Sequence, residues 1–169
     1  MIRTRRLLLR SGRSDDLDPL HEIFSDPRAM RYWDRPPHTE LSETRSFLER
    51  FMTGPSDDRF EFILDLDGRC IGKAGVWGAP EIGYILQPDL WGRGLAHEAL
   101  CAVLPRAFER FSDLPELTAQ IDPRNTASEK LLRKLGFRQT AYVEQNFLYG
   151  ENEWCDSAYF AVTREELQT

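Results

Sequence analysis

A chain of 169 residues, 41% hydrophobic and 30% charged, has the size and composition of one soluble globular domain that builds its core without staples. A net charge of −6 argues against broad nucleic-acid binding and leans mildly toward a cationic substrate, while apolar runs of a few residues exclude a membrane-spanning helix. Three scattered cysteines (Cys70, Cys101, Cys155), an odd set without metal spacing, read as reduced packing residues of a cytoplasmic protein that uses no metal.

Ile2 to Arg10 reads as a first strand, with no apolar signal segment, and the arginines at 3, 5, 6, 10 and 13 read as solvated flanks. Ser14-Asp15-Asp16 suits a helix start, after which Leu17, Leu20, Ile23 and Phe24 form one apolar face and Pro27 breaks the run. Met30 to His38 is aromatic and proline-rich, either a loop packed on the core or the wall of a substrate cleft. A second helix is predicted over Leu41 to Met52. Phe60 to Leu66 and Cys70 to Trp77 then read as strands joined by the hairpin dipeptide Asp67-Gly68.

The stretch from Glu81 to Leu100 reads as strand, glycine-containing turn and helix. Glu81 to Leu86 has the pattern of a strand partly buried on both faces. Gly92 and Gly94 permit backbone conformations closed to other residues, and Ala96, Ala99, Leu100 and Val103 follow at helical spacing. Such a turn points free N–H groups and the positive end of a helix dipole at one spot, which suits a phosphate. The loop lacks the Gly-Lys-Ser/Thr of a nucleotide P-loop, and His97 stands where a dinucleotide fingerprint needs its third glycine. An ordinary glycine-rich turn remains the plain alternative. Downstream, Pro105 should kink or end its helix. Leu117 to Ile121 reads as a strand, and Thr126 with Glu129 has a capping-box pattern opening a helix that Gly136 stops. Phe137 to Val143 and Trp154 to Thr163 form a final antiparallel pair around a turn at Gly150-Glu151-Asn152.

Trp91-Gly92-Arg93-Gly94-Leu95-Ala96 resembles the pyrophosphate loop of the GNAT superfamily of acetyl-CoA-dependent acetyltransferases, with Trp91 where Arg or Gln is usual, as in its RimJ/RimL-like branch. Asn125, Ser128, Leu131 and Lys134-Leu135-Gly136-Phe137 resemble that family's next motif. The opening TRRLLLR with DDLDPLHEIFSDPRAMRYW and the closing WCDSAYFAVTREE resemble the same branch, so the likeness runs nearly end to end.

The resemblance implies a single α/β domain over residues 1–169, with a mixed, mostly antiparallel sheet whose central strands splay apart between flanking helices. It implies acetyl-CoA as co-substrate and direct transfer to a primary amine, of a protein N-terminus or a small molecule, in a monomer or homodimer without nucleic-acid or membrane partners. The amides of Trp91, Gly92, Arg93, Gly94, Leu95 and Ala96 would hold the pyrophosphate. Backbone of Ile85, Leu86 and Gln87 would pair with pantetheine, with an N–H near Leu86 as oxyanion donor. Arg93 has a solvated alternative, and Asn125 is either a contact to the arm or a plain cap. Many relatives protonate the leaving thiolate with a tyrosine where this chain has Leu132, which leaves Ser128 as the candidate. Glu81 is the candidate base, acting through water, because Gln120 stands where a relative carries its glutamate; Glu144 and Asp122 are weaker options. Met30, Tyr32 and Trp33 would line the acceptor side. The departures at Leu132 and Gln120 leave a second reading, a catalytically weak acyl-CoA-binding regulatory module.

Overall fold

The computed structural model describes residues 1–169 and gathers eight strands into one sheet. The strand expected over residues 2–10 is two strands: β1 (Ile2–Arg3) and β2 (Leu8–Arg10) pair antiparallel, with Ile2 opposite Leu9. Thr4 makes the reversal, its N–H donating to the Leu7 carbonyl at 2.9 Å while its Oγ1 accepts from the Leu7 N–H at 3.0 Å. A 3-10 turn at Ser14–Asp16 leads into α1 (Leu17–Phe24). Pro27 then opens the short helix α2 (Pro27–Met30), since its missing N–H is no loss at a first helical position. α3 spans Leu41–Met52.

β3 (Phe60–Leu66) and β4 (Arg69–Gly78) form the predicted hairpin; Asp67 (φ 53) and Gly68 (φ 89) both take the left-handed conformation a two-residue turn requires. After these come β5 (Glu81–Leu86), α4 (Leu95–Arg110), β6 (Glu116–Ile121), α5 (Thr126–Lys134), β7 (Arg138–Tyr149) and β8 (Glu153–Thr163). Pro105 lies within α4 without ending it. The helix α5 is capped by Asn125 and not by the Thr126 box, the Asn125 side chain accepting from the Ser128 N–H.

The sheet order is β1-β2-β3-β4-β5-β6-β8-β7, antiparallel except between β5 and β6. Those two strands share a single register pair, Glu81 opposite Thr118, and part beyond it. Strand alternation divides the core. Phe62, Leu64, Ile82 and Leu86 face α4 and α5, while Ile63 and Ile85 face α1 and α3. One arginine departs from the solvated reading. Arg10 is buried, donating to both carboxylate oxygens of Asp16 and to Asp65, each at 2.7 Å, which ties β2 and β3 to the turn before α1.

Candidate active site

The turn between β5 and α4 is built from backbone. Gly92 and Gly94 both have φ of 74°, and Gly94 is the N-cap of α4, so the chain enters the helix through a conformation that a side chain opposes. The N–H groups of Gly92, Arg93, Gly94, Leu95, Ala96 and His97 have no acceptor within the protein. That of Trp91 is engaged, donating to the Pro88 carbonyl at 3.1 Å. Arg6 braces the turn from outside, donating from Nη1 to the Arg93 carbonyl at 2.8 Å and from Nε to Glu98 at 2.6 Å. Six free donors at a helix N-terminus, flanking a cavity of about 640 Å³, suit a diphosphate.

The cavity continues from this turn into the gap between β5 and β6. The Gln87 N–H donates to the Ile71 carbonyl at 2.9 Å, and the Ile85 carbonyl points at Gly72, where an added Cβ would lie 2.1 Å from it. The peptide groups of Ile85 and Gln87 are therefore turned toward β4, and alternation turns those of Tyr84 and Leu86 toward the gap. This corrects the expectation that Ile85, Leu86 and Gln87 all offer backbone to an extended arm: of the three, Leu86 does. Its carbonyl accepts from the Trp91 indole Nε1 at 2.9 Å, so the tryptophan at the unusual motif position ties the turn to the end of β5.

Across the gap stands the N-terminus of α5. Asn125 spends its carbonyl oxygen on the Ser128 N–H at 3.1 Å, which keeps its amide NH2 as a donor on the cavity lining. Ser128 also lines the cavity, and its Oγ lies 2.5 Å from the Tyr84 hydroxyl. Burial pushes the Tyr84 phenol up to about 12, with the Ser128 hydrogen bond opposing, so the phenol is protonated at neutral pH. Leu132, at the position of the expected tyrosine, is fully buried in the core.

The remaining wall is made of side chains. Tyr32 lies between two guanidinium groups, Arg31 at 5.4 Å and Arg124 at 5.7 Å from its ring centre. Both arginines bind Glu153 Oε1, at 3.0 and 2.8 Å. Trp33 lines the cavity and covers Lys73, whose Nζ pairs with buried Glu61 at 2.8 Å. Each arginine of the lining is paired with carboxylates behind it, Arg28 with Asp26 and Asp89, Arg31 with Glu153, and Arg124 with Asp122 and Glu153, so the lining presents balanced and not one-signed charge.

The structure thus brings Ser128, Asn125, Ile85, Leu86, Trp91, Gly92, Gly94, Leu95, Ala96, Tyr32 and Trp33 to one cavity, Ile85 with its peptide groups turned away toward β4. It leaves others out. Met30 has no exposed surface and packs among Leu20, Phe24 and Leu48, so its expected substrate contact is withdrawn. The Arg93 side chain is exposed and points back to the Asp89 carbonyl, 3.4 Å away; its N–H is the part that faces the turn's free donors. Glu81 is outside the cavity lining, at the closed end of the gap where β5 and β6 pair. Its carboxyl is held above the usual range by burial, with Trp77 and Lys73 opposing. Gln120 donates to Ser157 at 2.8 Å. Sequence reasoning missed Tyr84, although a tyrosine in the stripe Ile82-Tyr84-Leu86 carries a polar tip into an aliphatic face, which is a readable signal. It also missed Arg31 and Arg124, which meet only through the fold.

The description "Acetyltransferase (GNAT) domain" fits residues 6–138 of this chain. An uncharacterized N-acetyltransferase, p20 of Bacillus licheniformis, is 32% identical over 96% of each chain. The crystal structure of a GNAT-family acetyltransferase from Bacillus anthracis superposes with a TM-score of 0.83 at 28% identity, covering 98% of this chain and 99% of that one. The RimL ribosomal L7/L12 alpha-N-protein acetyltransferase shares the fold, with a TM-score of 0.77 at 20% identity over 95% of this chain and 91% of that one. With its glycine turn and single-pair strand junction, this chain belongs to the GNAT family of acetyl-CoA-dependent N-acetyltransferases.

Proposed function

We propose that the protein transfers the acetyl group of acetyl-CoA directly to a primary amine, the amino terminus of a polypeptide or a small amine. The observation that carries this reading is the run of unpartnered N–H groups from Gly92 to His97 opening into a gap lined by the outward peptide of Leu86 and by Ser128. The thioester supplies an acyl group with a leaving thiolate; everything else is the work of this chain. The turn holds the diphosphate. The Leu86 N–H serves as oxyanion donor, an interaction that typically contributes a factor of about 100 to 1,000 in rate. Ser128 donates a hydrogen bond to the departing sulfur. The acceptor enters past Tyr32 and Trp33.

Direct transfer is favoured over a cysteine-bound intermediate, because none of the three cysteines lines the cavity and burial pushes the Cys70 thiol up to about 12. Glu81 stands too far back to take the proton of the amine itself, and its proposed role is to drain that proton through water. We place the reaction in the cytoplasm, consistent with three free thiols and with no helix long and apolar enough to cross a membrane.

The experiment is thiol release from acetyl-CoA across a panel of acceptors: peptides with free amino termini, small neutral amines and polyamines. Thiol release above the acceptor-free background is expected with at least one class of primary amine. Tight coenzyme A binding with no release for any acceptor would instead support the regulatory module.

A further inference from the structure

Tyr84 has no part in the glycine turn or the acceptor wall, yet its hydroxyl reaches the cavity beside the one polar side chain assigned to the sulfur. Its ring belongs to β5 and packs against the larger core, so the hydroxyl is fixed in space. The only side-chain partner of Ser128 Oγ is that hydroxyl, at 2.5 Å, and the next acceptor for the phenol is the Ser128 carbonyl, at 3.5 Å. Serines in a first helical turn are otherwise free to rotate or to bond back to the preceding turn. Here one rotamer is selected.

We propose that Tyr84 is a positioning residue: its phenol donates to Ser128 Oγ and so aims the serine's own proton at the sulfur of the departing coenzyme A. This rests on the reading of Ser128 given above. A complete relay, with the phenol proton passing through Ser128 to sulfur, is not proposed. An alkyl thiol ionises near 8.5, against about 12 for Tyr84, so that transfer would run uphill by a factor of roughly 3,000. Ser128 keeps its proton and stabilises the thiolate by hydrogen bonding. As the acceptor nitrogen bonds to the acyl carbon, the carbon–sulfur bond breaks and its electron pair stays on sulfur; the proton lost by nitrogen reaches sulfur through solvent.

The test uses Tyr84→Phe, Ser128→Ala and the double variant. Tyr84→Phe should lower kcat about tenfold, the scale of one lost hydrogen bond near a developing charge, and leave KM for acetyl-CoA unchanged. The double variant should be no slower than Ser128→Ala, because two residues acting as a unit do not add. Independently of turnover, the thiol of bound coenzyme A, followed by its thiolate absorbance, should titrate higher in both single variants than in the unaltered protein. A kcat for Tyr84→Phe within twofold of the unaltered protein, losses that multiply in the double variant, or an unshifted thiol titration would each overturn the inference. Thermal melting checks the packing of Tyr84→Phe, and the titration is run below its melting temperature, so that an unshifted thiol in the folded variant overturns the inference even if it melts early. Normal turnover with an unshifted thiol sinks this inference and spares the proposed function. Tight coenzyme A binding with a shifted thiol and no transfer does the reverse, and failure to bind coenzyme A sinks both.

Discussion

The two walls of the cavity are made of different material. The wall around Gly92–His97 and Leu86 offers main-chain N–H groups, whose direction is set by a helix N-terminus and a strand edge. The facing wall offers Arg31, Tyr32, Trp33 and Arg124, side chains on loops, held by Glu153. A main-chain wall suits a diphosphate and an extended arm, and it tolerates almost any side chain except where φ is positive. A side-chain wall can be rewritten one residue at a time, which suits the choice of acceptor.

That contrast breaks first at Gly94. Gly94→Val forces a β-branched residue into φ 74°, and coenzyme A affinity measured by calorimetry should fall about a hundredfold, roughly 2.7 kcal/mol, with the far-UV spectrum unchanged. An unaltered affinity would mean that the turn does not hold the diphosphate. Glu81 belongs to neither wall. Glu81→Gln should lower kcat/KM about tenfold and remove the acid limb of its pH profile, below the usual scale for a general base in direct contact. Burial raises this carboxyl above its unfolded value, so the folded state disfavours the charged form. The associated stability is present below the unfolded pKa and is lost as pH rises through the folded one. Glu81→Gln should therefore melt higher than the unaltered protein at neutral pH and not at pH 4; an equal melting temperature at both would deny the burial cost.

Smaller effects sharpen the same division. Arg6→Gln removes the brace on the Arg93 carbonyl and should weaken coenzyme A severalfold without touching acceptor KM. Glu153→Gln should do the opposite, shifting acceptor KM two- to threefold and leaving coenzyme A affinity alone. Its effect on the melting temperature should be small, since the pair is exposed. Equal effects on both ligands from either change would show the walls to be coupled.

The same division explains what could be read before the fold was known. Gly92 and Gly94 before an apolar helical stripe announce their conformation locally, and so do Asp67-Gly68 and the cap at Asn125. The pairing of Arg31 with Glu153 joins positions 122 residues apart, and no local pattern of charge distinguishes it from a solvated arginine. Arg10 misled for the same reason: its partners Asp16 and Asp65 arrive from a turn and a neighbouring strand. Met30 misled differently. An apolar residue beside two cavity aromatics shares their neighbourhood in sequence, but its helical turn sends it inward. Leu86 could be placed in the strand from its pattern, whereas which peptide groups face the gap depended on the register with β4.

In the sheet ladder one register pair, Glu81 and Thr118, joins β5 to β6. Beyond it the two half-sheets meet through the core that Ile82, Leu86, Leu117 and Ala119 share, and an arm laid along Leu86 would act as mortar between them. Amide exchange at Tyr84 and Leu86 should slow when coenzyme A is added, while the β3–β4 ladder should hold its protection throughout. Melting temperature should climb with coenzyme concentration by mass action. On that expectation part of this enzyme's stiffness would be lent by its own co-substrate.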